Sequence, residues 1–278
     1  MKNPYGDIVL LTGASSGIGA ACANTLAENG FRVYGASRRG GENTTHESGG
    51  SVSMIKMDVT DTESVENAVK SILTKEGRID ILINCAGMGI SGAVEECTGE
   101  DGIAQMNTNY AGVLRTLHAV LPHMRQRRSG LVINISSVGG IFSIPFQTLY
   151  SSSKYAVEAL TEGLRIELAP YNVRASLIEP GDVRTGFTAA RIYTEDAKNS
   201  AYGDAFRHAI AQMEYDEQHG AHPQLIVKAI MKTIRSKNPP VRRVPGVTYK
   251  ILVFLKRLLP ARMVEWILTL MYPKSSKL

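Results

Sequence analysis

The order of its apolar and helical segments is what most constrains the fold of this 278-residue chain. Short apolar segments, each typical of a buried strand, alternate with longer segments of helical periodicity. The predicted strands are residues 8–12, 31–36, 51–56, 79–83, 131–135 and 173–178. Strands that alternate with helices form parallel sheets covered by helices on both faces. The pattern therefore predicts an α/β fold with a doubly wound parallel sheet. A further short segment at residues 241–244 brings the expected strand number to about seven.

The composition indicates a globular protein and argues against several other classes. Apolar residues make up 44% of the chain and charged residues 21%, with no repeat or low-complexity tract. The three cysteines, Cys22, Cys85 and Cys97, are odd in number and form no Cys-x-x-Cys pair. They therefore predict neither a disulfide framework nor a metal site. The apolar run at residues 8–11 is too short for a secretion signal, and we expect a cytoplasmic protein.

Positive charge is concentrated at the C-terminal end. The whole chain carries +5, but residues 241–278 hold eight Lys and Arg against one acidic residue, Glu265, which leaves −2 for residues 1–240. Pro260 divides residues 247–278 into two amphipathic segments that are too short and too charged to cross a membrane. We expect a helical extension that covers the substrate entrance, joins subunits or lies peripherally on an anionic membrane. No nucleic-acid partner is expected.

A glycine-rich turn separates the first predicted strand from the helix that follows. Its residues are Gly13, Ser15, Ser16, Gly17, Ile18 and Gly19. Glycines permit a tight turn and let backbone N–H groups approach a pyrophosphate at the helix N-terminus. The spacing Gly-x-x-x-Gly-x-Gly differs from the common dinucleotide pattern Gly-x-Gly-x-x-Gly. Nucleotide binding is the interpretation we favour, and a tight helix entry is the alternative.

The end of the second strand indicates which dinucleotide binds. An acidic residue there would accept hydrogen bonds from a ribose 2′-hydroxyl, whereas this chain has Arg38 and Arg39. A guanidinium pairs with a phosphate through two hydrogen bonds, so Arg38 predicts NADP(H) rather than NAD(H). The alternative is that both arginines are solvated loop charges.

Polar and small residues follow the next two strands. Asp58 and Val59 follow the third strand, where the carboxylate either accepts from an adenine amino group or caps the next helix. Thr60 and Glu63 predict a capping box for that helix.

The fourth strand ends in Asn84, Ala86 and Gly87, whose small size lets a flat cofactor lie against the backbone, although a plain turn would use the same residues.

Tyr150 and Lys154 are the two ionisable groups spaced to act together. Residues four apart share one face of a helix, so the ammonium can lie near the phenol and lower its pKa from about 10. Ser136 and Ser137 end the fifth strand, upstream of this pair. Because every motif so far lies at a strand's carboxyl end, we expect all of them at one edge of the sheet.

Taken together, these motifs resemble the short-chain dehydrogenase/reductase family over roughly residues 6–186. The resemblance is carried by Gly13 to Gly19, Asn84 to Gly87, Asn109, Ser137, Tyr150 with Lys154, and Pro180 with Gly181. It implies a Rossmann-type fold and hydride transfer between NADP(H) and a carbonyl or secondary alcohol. Residues 134–140 and 178–185 are most similar to the 17β-hydroxysteroid and retinol dehydrogenase group, which implies a hydrophobic, steroid- or retinoid-like substrate.

The resemblance also implies a role for each site residue. Tyr150 is the general acid/base, Lys154 lowers its pKa and bonds the nicotinamide ribose, Ser137 holds the substrate oxygen, and Asn109 positions a water. Asn109 rather than Asn107, and Ser137 rather than Ser136, match the family spacing. The residues implied to face the nicotinamide are Pro180, Gly181, Val183 and Thr185.

The sequence further predicts how the chain is divided. Residues 1–246 form one catalytic domain, with a variable substrate lid at about residues 186–220, and residues 247–278 form the extension. The lid holds the aromatic residues Phe187, Tyr193, Tyr202, Phe206 and Tyr215, which either line an apolar pocket or pack the lid on the core. The resemblance implies a homodimer or homotetramer. The alternative function is a non-catalytic dinucleotide-binding regulator or scaffold, against which the intact catalytic set argues.

Overall fold

The computed structural model describes residues 3–272, and it contains each predicted strand within two residues of the expected bounds. The strands are β1 Ile8–Thr12, β2 Arg32–Ser37, β3 Thr44–Thr45, β4 Ser51–Lys56, β5 Ile81–Asn84, β6 Ile90–Ser91, β7 Gly130–Ile135, β8 Val173–Ile178, β9 Ile192–Tyr193 and β10 Arg242–Arg243. The helices are α1 Gly17–Glu28, α2 Thr62–Glu76, α3 Gly99–Met106, α4 Gly112–Arg127, α5 Thr148–Leu168, α6 Gly203–Gln218, α7 Pro223–Ile234, α8 Val247–Leu258 and α9 Ala261–Met271.

Eight strands form the main sheet, in the order β10-β8-β7-β5-β1-β2-β4-β3. All neighbours pair in parallel except β3 and β4. The chain runs outward from β1 to β4 and then returns to β5 on the other side of β1. This reversal opens a crevice beyond the carboxyl ends of β1 and β5, which is where doubly wound sheets bind ligands.

Helices cover both faces of the sheet, as predicted. On one face, α1 and α7 pack against β1, β5 and β7 through an apolar cluster that includes Leu26, Ile81 and Ile230. On the other face, α2, α4 and α5 pack through a second cluster. All residues of β1, β5 and β7 are buried, which explains their nearly continuous apolar sequences.

Three short strands were not predicted. β3 lies between β2 and β4 and pairs with β4, and β6 pairs with β9 in a small parallel sheet that ties the segment after β5 to the predicted lid. Each has only two residues, too few to show a hydrophobic period.

The capping box predicted from Thr60 and Glu63 is wrong. Asp61 caps α2, because its carboxylate accepts from the backbone N–H groups of Glu63 and Ser64 at 2.9 and 3.3 Å. Thr60 donates instead to Asp58, through both its backbone N–H and its hydroxyl. Asp58 therefore orders the turn before the helix without capping it.

The helical segment between β6 and β7 contains an irregular turn. A π-helical turn at Asn107–Ala111 joins α3 to α4, so the three segments form one continuous rod with one widened turn. Such turns occur frequently at functional sites.

The C-terminal region folds into α8 and α9, as the sequence predicts. Tyr249 of α8 lies against the segment after β8, and Tyr272, just after α9, packs on the apolar cluster of α6 around Phe206. Among residues 3–272, none of the helices combines the length and apolar character that crossing a bilayer requires. The predicted extension also includes residues 273–278, which lie outside the described residues.

Candidate active site

The glycine turn after β1 is held by contacts that only glycine permits. Gly13 and Gly17 have positive φ angles of 71° and 54°. A Cβ atom on Gly13 would lie 2.9 Å from the backbone of Ala86, and one on Gly19 would lie 2.1 Å from the Gly13 carbonyl oxygen. The Thr12 hydroxyl accepts from the N–H groups of Cys85 and Ala86 at 3.0 Å each, which fixes β1 to β5 at the crevice.

This turn fits the pyrophosphate of a dinucleotide. Ser15 and Ser16 are exposed beside it, while Ile18 packs into the core and anchors the start of α1. No side chain among the described residues caps the first turn of α1, whose N–H groups point out of the helix N-terminus. A Cβ atom on Gly17 would lie 3.2 Å from Thr185, so the turn also borders the segment after β8.

The predicted adenosine-binding residues lie at the ends of β2 and β4. Arg38 follows β2 and is exposed, without an ion-pair partner among residues 3–272. The backbone N–H of Thr60 lowers the pKa of Asp58 below its ordinary value, and the positive charge of Arg38 contributes to this shift. Val59 packs against Gly112, where a Cβ atom would lie 3.0 Å from its side chain.

Asn84 does not direct its side chain toward the crevice. Its amide nitrogen donates to Asn134 at 2.9 Å, and its oxygen accepts from Thr116 at 2.8 Å. Asn134 in turn donates to Thr161 at 2.8 Å, so a buried polar ladder joins β5 and β7 to α4 and α5. Only the backbone of Asn84 can serve a cofactor, and the sequence did not show that the amide belongs to the core.

Gly87 lies against two of the predicted catalytic residues. A Cβ atom there would be 3.3 Å from the Asn109 side-chain oxygen and 3.7 Å from the Lys154 ammonium nitrogen. Asn109 is buried in the π-helical turn. Its oxygen accepts from the Met88 N–H at 2.9 Å, and its nitrogen donates to Ser153 and to the Met88 carbonyl at 3.0 Å each. All the ordinary hydrogen-bonding positions of this amide except one oxygen lone pair are thereby filled.

Tyr150, Lys154 and Ser137 meet at the carboxyl edge of the sheet. The Lys154 ammonium lies 5.7 Å from the centre of the Tyr150 ring and donates to the Ile135 carbonyl at 3.0 Å. Ser137 begins a short helical turn, where its hydroxyl oxygen accepts from the Gly139 N–H at 3.0 Å. A Cβ atom on Gly139 would lie 3.3 Å from the Tyr150 ring and 3.4 Å from the Ser137 hydroxyl oxygen.

Burial, more than the nearby cation, controls the proton affinity of Tyr150. It raises the pKa of Tyr150 to about 12, against the lowering effect of a hydrogen bond to Ser137. Burial also lowers the pKa of Lys154 to about 8. The sequence-based expectation that Lys154 lowers the pKa of Tyr150 does not describe this arrangement, because the ammonium lies over the ring face and bonds to a carbonyl.

The segment after β8 closes the site on a third side. The Pro180 carbonyl accepts from the Val138 N–H at 2.8 Å, which ties this segment to the turn that begins at Ser137. Val183 is buried and pairs with Ala221. Gly181 is covered by the ring of Tyr249, since a Cβ atom on Gly181 would lie 2.2 Å from that ring. The Tyr249 oxygen also accepts from the Asp182 N–H at 3.1 Å and donates to its carboxylate.

Of the aromatic residues in the predicted lid, some face the site and others pack within the lid. Phe187 faces the site, with its ring centre 5.7 Å from that of Tyr150. Phe206 is buried in the lid core and meets Phe146 edge to face at 5.3 Å, and Tyr202 meets Phe146 at 5.6 Å. Tyr193 and Tyr215 are exposed.

Sequence reasoning missed a buried ion pair under the lid. The Arg191 guanidinium, with a fully buried side chain, lies 2.5 Å from Glu217, which also accepts from Thr188. Both charges act on the pKa of Tyr150, Glu217 raising it and Arg191 lowering it. Their separation in sequence leaves no local pattern that could have revealed the pair. No group of three or more His, Cys, Asp or Glu side chains among residues 3–272 is placed to hold a metal ion.

Fold and site together define a dinucleotide-dependent oxidoreductase. The family model for short chain dehydrogenases matches residues 7–196, and the chain belongs to that family, whose members bind a nicotinamide dinucleotide and small-molecule substrates. The likeness to retinol dehydrogenases expected from the sequence is also confirmed.

Three known proteins illustrate the relationship. The chain is 44% identical to the 3-ketodihydrosphingosine reductase of Bacteroides thetaiotaomicron over 95% of this chain and 97% of that protein. It is 33% identical to retinol dehydrogenase 8 of Bos taurus over 91% of this chain and 86% of that protein. A short-chain dehydrogenase from Streptomyces avermitilis has the same fold, with a TM-score of 0.81 and 31% identity over 96% of this chain and 98% of that one.

Proposed function

We propose that this protein transfers a hydride between NADP(H) and the carbonyl or secondary alcohol of a hydrophobic small molecule. The observation that carries the proposal is the grouping of Tyr150, Ser137 and Lys154 at the carboxyl edge of the sheet, beside the glycine turn. A phenol, a hydroxyl and an ammonium placed around one crevice can bind a carbonyl oxygen and deliver a proton to it.

Each residue of this group has a distinct task. Tyr150 donates the proton to the substrate oxygen in reduction and removes it in oxidation. The Ser137 hydroxyl donates to the same oxygen and fixes its position. Lys154 binds the nicotinamide ribose and, once its ammonium faces the phenol, stabilises the phenolate. Asn109, anchored to Met88 and Ser153, keeps one oxygen lone pair with which to hold a water near Lys154.

The cofactor, when bound, supplies or accepts the hydride, and the chain supplies its position. The turn from Gly13 to Gly19 receives the pyrophosphate, and the exposed Arg38 pairs with a 2′-phosphate, which supports NADP(H) over NAD(H). Asp58 and Val59 border the adenine. The backbones of Asn84, Ala86 and Gly87 lie along the cofactor's flat face. Pro180, Gly181, Val183 and Thr185 border the nicotinamide. An NADPH pool that is kept reduced favours carbonyl reduction.

The substrate we propose is a long-chain ketone of the 3-ketodihydrosphingosine type. The 44% identity to a reductase of that name supports this class, and the similarity to retinol dehydrogenase 8 makes retinoids the second candidate. Phe187, beside Tyr150, and the apolar lid around Phe206 suit a substrate with a large apolar part.

We also propose how the molecule is organised. Residues 1–246 form the catalytic domain and residues 247–278 an appendage to it, in a cytoplasmic homodimer or homotetramer with peripheral membrane contact through the appendage. The support for that contact is the exposed apolar surface of α8 and α9.

The test is NADPH oxidation with 3-ketodihydrosphingosine, retinal and a ketosteroid, for the wild type and for Tyr150→Phe. We expect the first ketone to be reduced most efficiently, and Tyr150→Phe to lose roughly 10²–10⁴-fold in turnover while binding NADPH normally. Turnover that survives the substitution would refute the role of Tyr150. Tight NADPH binding without turnover of any substrate would instead favour the non-catalytic regulator.

A further inference from the structure

A basic groove runs between α7, β10 and α8, behind the segment that follows β8. The groove is open to solvent and has a volume of about 680 Å³. Its cationic lining residues, apart from Arg242, are Lys228, Lys232, Arg243, Lys250 and Arg257, and we call them the groove cations. The lining also includes apolar residues, among them Leu225 of α7 and Val253 and Phe254 of α8.

Among the residues that the structure describes, the groove cations have no acidic partner. The acidic lining residue, Glu179, is fully buried and lies 3.0 Å from Arg242, which also pairs with Glu158 and Glu162. Burial raises the pKa of Glu179 above its ordinary value, and its carboxylate faces Arg242 rather than the five groove cations. The groove is therefore strongly positive.

An exposed apolar stripe lies directly beside the groove. Val247, Ile251, Phe254 and Leu258 follow one another at helical spacing along α8 and are 53–72% exposed. On α9, the apolar side chains of Met263, Trp266 and Leu270 are also 47–61% exposed. Lys250 and Arg257 lie on the groove side of the stripe. Cations beside an exposed apolar stripe with a tryptophan are the pattern of a helix that lies in a membrane interface.

The opposite side of α8 is occupied by contacts with the domain. Tyr249 covers Gly181, and Lys256 donates to the Tyr155 hydroxyl at 2.5 Å and lies 5.2 Å from the centre of the Phe142 ring. Docking on its own domain therefore accounts for one side of α8 and leaves the stripe and the groove open. The contacts of Lys256 place α8 beside Phe142 and Tyr155, which lie eight residues before and five residues after Tyr150 in the chain.

The chemistry of this surface selects its partner. A symmetric contact with a second copy would bring two sets of groove cations together, which is electrostatically unfavourable. A bilayer of anionic phospholipids offers phosphates to the groove and acyl chains to the stripe at once. We propose that the groove cations bind the phosphate headgroups of anionic phospholipids while the stripe enters the interface, so that the substrate entrance opens on the lipid surface. This inference rests on the peripheral contact proposed above.

Vesicle flotation tests the inference without any turnover. The full-length protein is mixed with vesicles of phosphatidylcholine alone or of phosphatidylcholine with phosphatidylglycerol, at low and at high salt. We expect it to float with the anionic vesicles only, and less at high salt, because screening weakens surface electrostatics.

Two variants separate the parts of the surface. Lys250→Glu with Arg257→Glu is expected to weaken binding to anionic vesicles at least tenfold, since each cation near such a surface contributes to the attraction. Phe254→Ser with Leu258→Ser removes the apolar contribution and is expected to weaken binding similarly. The control is Lys70→Glu with Lys75→Glu on α2, which makes the same charge change on the other face of the sheet and leaves binding within about twofold of the wild type. Thermal unfolding establishes that each variant is folded.

Three results would overturn the inference. One is a wild type that does not float with anionic vesicles. Another is a groove variant that floats as well as the α2 control. The third is stabilisation by inorganic phosphate without vesicle binding, which would make the groove a free-phosphate site. If the serine variant instead changes the oligomeric state in gel filtration and no vesicle binding occurs, the stripe is a subunit interface. None of these results bears on Tyr150, so this inference and the proposed reaction fail separately.

Discussion

The dinucleotide side of the site and the substrate side are built in different ways. On the dinucleotide side, backbone segments touch one another directly, as where Gly13 meets Ala86 and Gly19 meets the Gly13 carbonyl. On the substrate side, long side chains make the contacts across large distances in sequence, as Tyr249 does with Gly181 and Arg191 with Glu217. Backbone contacts of the first kind tolerate almost no change, whereas side-chain contacts of the second kind can be altered one at a time.

Gly19→Ala is the most severe test of this difference. The added Cβ atom would lie 2.1 Å from a backbone oxygen that cannot move away, so we expect NADPH affinity to fall more than 100-fold or the protein to lose its fold. Isothermal titration and thermal unfolding measure the two outcomes. The matched control is Gly163→Ala in α5, where nothing lies within 4 Å of the added atom and stability should rise by up to about 1 kcal/mol. Normal NADPH binding by the Gly19 variant would contradict the backbone argument.

Arg38→Ala tests the dinucleotide side at a side chain. Loss of a hydrogen-bonded charge pair is expected to weaken NADPH binding by roughly 10–100-fold, about 1.5–3 kcal/mol, and to leave NADH unchanged. The measurement is the KM for each cofactor. The neighbouring Arg39→Ala serves as the control and should change neither value appreciably. Equal losses for both cofactors in the Arg38 variant would remove the phosphate contact.

Lys154→Met tests a buried charge that lies between the two sides. Its pKa is lowered from 10.5 to about 8 in the folded protein, so between these values the unfolded chain binds more protons and stability rises with pH. Near pH 7 the free energy of unfolding of the variant should therefore exceed that of the wild type, by on the order of 2 kcal/mol. Between pH 8 and 10 it should increase less with pH than that of the wild type, because the titrating lysine is gone. Denaturant unfolding at pH 7, 8, 9 and 10 gives both slopes, and identical slopes for the two proteins would show that Lys154 is not desolvated.

Tyr249→Ala should have the smallest effect of the four. The substitution removes the ring that covers Gly181 and both hydrogen bonds to Asp182, and we expect a loss of about 1–2 kcal/mol in the local stability of α8. Limited proteolysis or hydrogen exchange within α8 measures this local loss. Tyr215→Ala, at a side chain that is 58% exposed, is the control. If α8 opens equally in both variants, Tyr249 does not anchor it.

The features that could be predicted from the sequence are the local ones, and the contacts between distant side chains could not be predicted. The parallel sheet, the glycine turn and the helix pair at the C-terminal end were predicted, because apolar periodicity and turn residues are local signals. The Asp61 cap was missed because Thr60 and Glu63 also satisfy the capping pattern, and only the geometry selects between them. No local pattern in the sequence points to the roles of Arg191, Glu217 and Tyr249. Arg191 and Glu217 are 26 residues apart, and Tyr249 bonds to Asp182, which is 67 residues away.

The positions of the predicted catalytic residues were foretold less completely than their identities. Asn109, Ser137, Tyr150 and Lys154 do lie around one crevice, but Lys154 bonds to a backbone carbonyl and Asn84 belongs to a buried ladder. Spacing in sequence shows which side chains share an edge of the sheet. It does not show which hydrogen bond each one selects, because that choice depends on the packing of the whole core.

The π-helical turn at Asn107–Ala111 determines how α3 is rotated about the helix axis relative to α4. A helix advances by about 100° per residue, so the widened turn rotates everything before it by nearly a third of a circle relative to α4. With that rotation, Gln105 of α3 accepts from the Ile90 N–H at 2.8 Å, while Asn109 faces Met88. Deleting one residue of the turn would restore a regular helix, yet it would swing Gln105 and the rest of α3 away from the strand that leads to the lid. The irregular turn thus fixes the rotation of α3 so that Gln105 and Asn109 both reach the segment from Met88 to Ile90.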